Sequence, residues 1–255
     1  MNYPIQQNFI LGLPQEAYDA GHYIGVVAHS TGTNNDSADN ERNYESTTWQ
    51  NAFVHFFVDD QKIEQVADTN YLAYGAGHTA NHAGLAQVEL CQTTDPAKFA
   101  AAYAMYVWLL AKLLHDQKLG VVDGVTLMSH AQVSAKWKET DHIDPVDYLA
   151  MFGKTWANVV ADVTANYNEM EVTQVDKAIL VFGADDLPTA KRLQGKIGNC
   201  AIFFRNADAT APADVKAAKQ LFIVGGSGTV GHPNEVLLQG KDWFKTADAV
   251  AGYLG

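Results

Sequence analysis

The chain has 255 residues, 47% hydrophobic and 18% charged without long polar tracts, which places it with soluble globular proteins and excludes an intrinsically disordered one. Its formal charge of −12 argues against binding driven by nucleic-acid phosphates. No apolar run approaches a membrane-spanning length, and the opening "MNYPIQQNFILGLP" lacks a basic segment followed by an apolar one, so neither membrane insertion nor a secretory signal is expected.

In chain order, "HYIGVVAHS" has the β-branched, apolar composition of a buried strand and places His29 where that strand meets a loop. "TGTNNDSADNERNYES" reads as turn-rich. "TTWQNA" to "VHFFVDDQKIEQV" reads as a short helix or approach segment, a strand, a turn at Asp59-Asp60 and a second strand. The glycines of "YGAGHTANHAG" predict a loop, and "LAQVELC" a strand whose apolar run Glu89 interrupts. The strongest helix is expected in "DPAKFAAAYAMYVWLLAKLLHDQKL", with Asp95 as N-cap, Pro96 in the first turn and Phe99, Tyr103, Tyr106, Leu110 and Leu114 at helical spacing. "VTLMSHAQVS" predicts a short strand ending at His130, followed by a loop; "DPVDYLAMFGKTWANVVADVTANY" then begins a second helix.

Past "NYNEMEVTQVD" the pattern changes. "KAILVFG", "NCAIFFR" and "QLFIVGG" read as apolar strands alternating with short helices, which predicts a small α/β domain around a mostly parallel sheet. Charge divides at the same place, with 19 acidic against 8 basic residues up to Tyr167 and 10 against 9 beyond it. Eight of the nine histidines lie at or before His142, so imidazole chemistry belongs to the first part. The expected organisation is a catalytic domain over 1–167, a linker over 168–175 and a second domain over 176–255. Cys91 and Cys200 make no metal spacing and read as reduced core thiols.

His29 and His130 stand at the ends of two predicted strands that one sheet could bring together. With Asp144 they form two imidazoles and one carboxylate, a set suited to a catalytic zinc that keeps a position for water. Glu89, costly to leave ionised on a buried strand, is a candidate base, and His142 a candidate donor to an oxyanion. By spacing alone the pattern also fits satisfied histidines and a helix cap, Asp144 and Pro145 suiting N-cap and N1 of the following helix. His78 and His82, four apart, read first as a substrate-lining loop and second as metal ligands. His55 reads as a structural histidine, Trp49, Tyr71 and Tyr74 as packing, and "GGSGTVG", which matches no phosphate-loop pattern, as a turn.

The series "VVAHST", "VHFFVDDQKIEQ", "NHAGLAQVELC", "LMSHAQVS" and "TDHIDPVDYLAMFG" resembles, in order and context, the type 2 N-acetylmuramoyl-L-alanine amidases, especially phage endolysin catalytic domains, over roughly the first 165 residues. The resemblance implies an α/β fold with a mixed sheet flanked by helices, and one zinc ion on His29, His130 and Asp144. It makes Glu89 the glutamate of the "IELC"-like strand, His142 a transition-state group, and puts His78 near the cleft. The implied reaction is hydrolysis of the amide between N-acetylmuramic acid and L-alanine in peptidoglycan. Three positions depart from many relatives: Asp144 stands where cysteine is common, Val54 where a tyrosine occurs, and His142 where lysine or threonine is frequent. The C-terminal segment, through "AILVFGADDLPTAKRLQ" and "LFIVGGSG", resembles small α/β wall-binding domains of some clostridial-phage-type endolysins. That implies an associated wall polymer as partner and residence in the host cytoplasm until lysis. Met170 reads first as an ordinary linker methionine and second as an internal start that would give a free binding domain, self-associating with the full chain. The alternatives are a non-catalytic peptidoglycan-recognition protein and a zinc peptidase of the stem peptide.

Overall fold

In the computed structural model, residues 2–171, 176–198, 200–206, 210–216 and 218–255 are described, and the chain divides into two compact units, 1–171 and 172–255. Unit 1 runs β1 (Ile5–Gln7), β2 (Gly25–Asn34), α1 (Ala38–Thr48), β3 (Phe56–Val58), β4 (Ile63–Gln65), α2 (His78–Ala83), β5 (Leu85–Gln92), α3 (Pro96–Asp116), β6 (Leu127–Ser129), α4 (His130–Trp137), α5 (Val146–Met151) and α6 (Trp156–Glu171). Its six-stranded sheet has the order β1-β4-β3-β5-β2-β6, parallel except for the β3–β4 pair.

Strand alternation decides which residues reach the site. Along β2, Val26 and Ala28 point into the large core under α3, whereas Val27 packs on the other face with Ala80, Met128 and Val133. His29 therefore projects to the face opposite α3. Along β5 the same rule sends Ala86, Val88 and Leu90 to α3 and leaves Glu89 on the face of His29. α3 begins as its sequence predicts, the Asp95 carboxylate accepting from the N–H groups of Ala97 and Lys98, and packs with Val159 and Val163 of α6. One correction concerns its length. At 21 residues α3 is long and apolar enough to cross a membrane by length and composition; interleaved Lys98, Lys112 and alanines hid this in the sequence, and most of the helix is buried inside unit 1.

Four local expectations also change. The turn-rich stretch contains α1, whose polar surface carries no apolar period and whose start is fixed by Ser37 accepting from Asn40 N–H. The glycine-spaced loop contains α2: Gly84, with φ +97 and the His22 carbonyl close to where a side chain would begin, ends that helix rather than preventing it. His130 is not the end of a strand but the first residue of α4, because Ser129 and Gln132 form a reciprocal capping box. The second long helix is two helices, α5 and α6, with Gly153 at φ +70 between them. α6 continues to Glu171, so 168–171 of the expected linker are helical and Met170 packs against the unit 1 core; 172–175 lie outside the described residues.

Unit 2 contains β7 (Lys177–Val181), a 3-10 turn (Ala184–Asp186), α7 (Leu187–Ile197), β8 (Ala201–Phe204), α8 (Ala213–Lys216), β9 (Gln220–Val224), β10 (Glu235–Leu238) and α9 (Trp243–Leu254). The sheet order is β10-β9-β7-β8, every pair parallel, and apolar side chains cover both faces. "GGSGTVG" is a turn after β9. Gly225 sits at φ +80 with Asp186 where a side chain would begin. Gly225→Ala is expected to destabilise unit 2 by about 1–3 kcal/mol from backbone strain alone, whereas Gly183→Ala, which meets open space, should leave the denaturation midpoint unchanged.

Candidate metal centre

Three segments far apart in sequence meet on the face opposite α3. β2, held between parallel neighbours β5 and β6, delivers His29, and the α4 N-terminus delivers His130. The segment before α5 delivers Asp144, anchored by Ala131 N–H donating to the Asp144 carbonyl at 3.1 Å. The two imidazole Nδ1 atoms face each other at 3.0 Å. Asp144 Oδ1 lies 3.2 Å from His130 Nδ1 and Oδ2 lies 3.4 Å from His29 Nδ1, while Ser30 N–H donates to Oδ2 at 3.2 Å. The Asp144 carboxylate thus faces the imidazoles and does not cap α5, whose N-cap is Pro145. Ligand atoms of His29, His130 and Asp144 all lie within 4.8 Å of one another, a group able to hold a metal ion.

The electrostatics suit that use. Burial lowers the His29 pKa to about 4, keeping a neutral ring with a lone pair at pH 7. For Asp144 burial acts upward, but hydrogen bonds with His130 and His29 outweigh it and hold the carboxyl well below the ordinary range. Two imidazoles and a carboxylate form a donor set that a borderline-soft divalent cation accepts. The backbone behind His29 is pinned by Tyr106, whose hydroxyl donates to the His29 carbonyl at 2.8 Å. His130 is oriented from outside the group by Thr140 Oγ1, 3.2 Å from Nε2, and Thr140 is in turn 2.6 Å from Ser134 Oγ. Ser134 and Thr140 escaped the sequence reading, although they are the last residue of "LMSHAQVS" and the first of "TDHIDPVDYLAMFG", the motifs that carry the histidine and the aspartate.

Glu89 lies directly across from His29 in strand register, on the same face. Its buried Oε2 has no hydrogen-bond partner, and burial, then the charges of Asp144, Glu45 and Glu41, push its pKa well up. His142 stacks on His130 with ring centroids 4.5 Å apart and places Nδ1 3.4 Å from Asp144 Oδ1, its side chain 60% exposed. It is a solvent-open group at the rim of the site. His78 stands elsewhere, its ring tilted against that of His82 in α2 with centroids 4.3 Å apart, and neither joins the donor group nor lines the cleft beside Glu89. His55 is a buried structural histidine: Gln87 N–H donates to Nδ1 at 3.0 Å, and Nε2 lies 2.9 Å from the Tyr71 carbonyl. Val54 packs in an apolar cluster and offers no hydroxyl.

A cleft of about 610 Å³ opens from Glu89 between the end of β2 and α1, lined also by Asp36, Glu41, Tyr44 and Glu45. Glu45 was missed because α1 looked like solvated loop, yet it is buried and accepts from Val54 N–H at 3.1 Å. Burial pushes the Glu45 carboxyl up to about 9 and the Glu41 carboxyl up to about 7. A carboxyl raised this way holds its proton more tightly when folded, so the stability it contributes is full below the unfolded value near pH 4 and is lost as pH rises through the folded value. Wild type should therefore lose several degrees of melting temperature between pH 5 and pH 9, at about 2–4 °C per kcal/mol. Glu45→Gln, which keeps an acceptor for Val54, should flatten that decline; an unchanged slope would show that Glu45 ionises freely in the folded protein.

A mixed α/β domain with a His–His–Asp donor group beside a half-buried glutamate whose Oε2 has no partner has the parts of a metal-dependent hydrolase. Residues 21–147 match the N-acetylmuramoyl-L-alanine amidase family. An endolysin of Listeria phage A511 is 34% identical over 171 residues, covering 64% of this chain and 50% of that protein. Protein Ami of Listeria monocytogenes is 36% identical over 167 residues, 62% of this chain and 18% of that protein. Among solved structures, Staphylococcus aureus hydrolase AmiA in complex with its ligand superposes with a TM-score of 0.64 at 29% identity, covering 67% of this chain and 87% of that one. Unit 1 thus contains an N-acetylmuramoyl-L-alanine amidase family domain over residues 21–147, and the chain spans half or less of the length of these curated relatives.

Proposed function

We propose that the chain hydrolyses the amide between the lactyl group of N-acetylmuramic acid and L-alanine of the peptidoglycan stem. Zinc would be held by His29, His130 and Asp144, and unit 2 would direct the enzyme to the wall. The observation that carries this reading is the meeting of two Nδ1 atoms and a carboxylate on the face where Glu89 has an unpartnered oxygen, inside a family-matched domain. When bound, zinc supplies Lewis acidity, polarising the scissile carbonyl and bringing the pKa of water to roughly 7. Glu89 Oε2 takes the proton of the attacking water and returns it to the departing alanine nitrogen. His142, exposed at the rim, donates to the developing oxyanion, and Ser30 N–H keeps Asp144 in place. The relative from a phage fits synthesis in a host cytoplasm and action on the wall at lysis.

Digestion of purified walls tests the reaction class. Release of L-alanine amino termini without new reducing sugars is the expected result. A different amino terminus would identify a peptidase of the stem, and wall binding without any cleavage would identify a recognition protein.

A further inference from the structure

We propose that the groove between α7 and α9 of unit 2 binds a phosphodiester-linked polyol or sugar polymer attached to the bacterial wall. This rests on the wall-targeting reading of unit 2 and gives it a site and a ligand chemistry. The groove has a volume of about 410 Å³. α7 turns Ala190 and Leu193 into the core and thereby presents Lys191, Arg192 and Lys196 along one wall. α9 anchors through Val250 and lines the other wall with Ala247, Ala251 and Leu254. Gly195 leaves a notch, since a side chain there would meet nothing within 4 Å.

The charge in this groove is uncompensated. Among the described residues none of the three cations has a hydrogen-bond or ion-pair partner. α7 contains no acidic residue, and the one acid of α9, Asp248, is taken by Lys245 at 2.8 Å. The near balance of charge in the C-terminal part hides this local concentration. A neutral glycan would leave three cations without counter-charge, and the amidase family matched by unit 1 directs the choice among polyanions to one carried by the wall. A polymer that alternates phosphodiesters with C–H-rich polyol or sugar units matches both walls, its phosphates pairing with Lys191, Arg192 and Lys196 and its carbon skeleton lying on Ala247, Ala251 and Leu254.

The test uses the full chain, with Glu89→Gln included in all proteins so that walls are not degraded, and co-sedimentation with Listeria and Staphylococcus walls, native or stripped of phosphodiester-linked polymer by hydrofluoric acid. Lys191→Gln/Arg192→Gln/Lys196→Gln should bind native walls at least tenfold more weakly, the parent should fall to the same level on stripped walls, and its binding should decline as salt rises. Ala251→Glu, a single exposed change that sets a like charge against the phosphates, should give the same loss. With Glu89 restored, the triple variant should hydrolyse a soluble muramoyl-peptide at the wild-type rate. Equal binding of parent and variants to native and stripped walls would overturn the groove while leaving wall targeting intact. Binding to phosphatidylglycerol vesicles in place of walls would overturn it in favour of a lipid headgroup. Absence of binding to any wall would overturn the targeting reading and this site with it.

Discussion

Glu89→Gln should keep the metal and lose about 10²–10⁴-fold in turnover, the range that a positioned proton-transfer group contributes. The substitution preserves shape on β5 beside His29 and removes only the capacity to accept and return a proton. Because Glu89 Oε2 is buried without a partner and the carboxyl pKa is driven up, a neutral amide there relieves an electrostatic cost, so the melting temperature should hold or rise. A stable, metal-replete variant with little activity is the signature of a group that acts on the reacting atoms. Wild-type turnover by Glu89→Gln would remove Glu89 from the proton-transfer role.

Asp144→Ala should abolish metal binding and activity together. This carboxylate touches both imidazoles and accepts from Ser30 N–H, so its removal takes away the one anionic donor and leaves a backbone donor unsatisfied. Loss of an outer-shell partner commonly costs about 10–100-fold in metal affinity, and loss of a direct ligand should exceed that. Metal content measured after dialysis should fall from one equivalent per chain to background, with the far-ultraviolet circular dichroism spectrum preserved because the core under α3 and the β2–β5 strand pairing do not involve the carboxylate. A full equivalent of metal in Asp144→Ala would place the cation elsewhere.

The readable parts of the sequence are those where one physical signal acts alone. "HYIGVVAHS" and "LAQVELC" are buried between parallel neighbours, so their apolar runs mark strands; α3 shows its cap and its stripe together. α1 was not legible because it buries only Ala38 and Glu45, which gives no apolar period, and α2 because glycines that bound a helix look the same in sequence as glycines that forbid one. His130 was placed one residue off its element because an apolar run passes directly into a helix start, and only the Ser129–Gln132 capping box separates the two. In the site, the motifs carried His29, His130, Asp144, Glu89 and His142. What they could not carry is register and through-space support: Glu89 abreast of His29, Thr140 behind His130, and buried Glu45 beside the cleft. Those relations arise from strand pairing and from segments 9 to 114 residues apart, as for Glu45 with Val54 and Ser30 with Asp144.

Anomalous diffraction at the zinc edge, from crystals of the wild-type chain grown with zinc, tests the central claim most directly. A single strong peak between His29 Nδ1, His130 Nδ1 and the Asp144 carboxylate is the predicted result. A peak at another cluster, or zinc-replete crystals with no density among these three side chains, would contradict it.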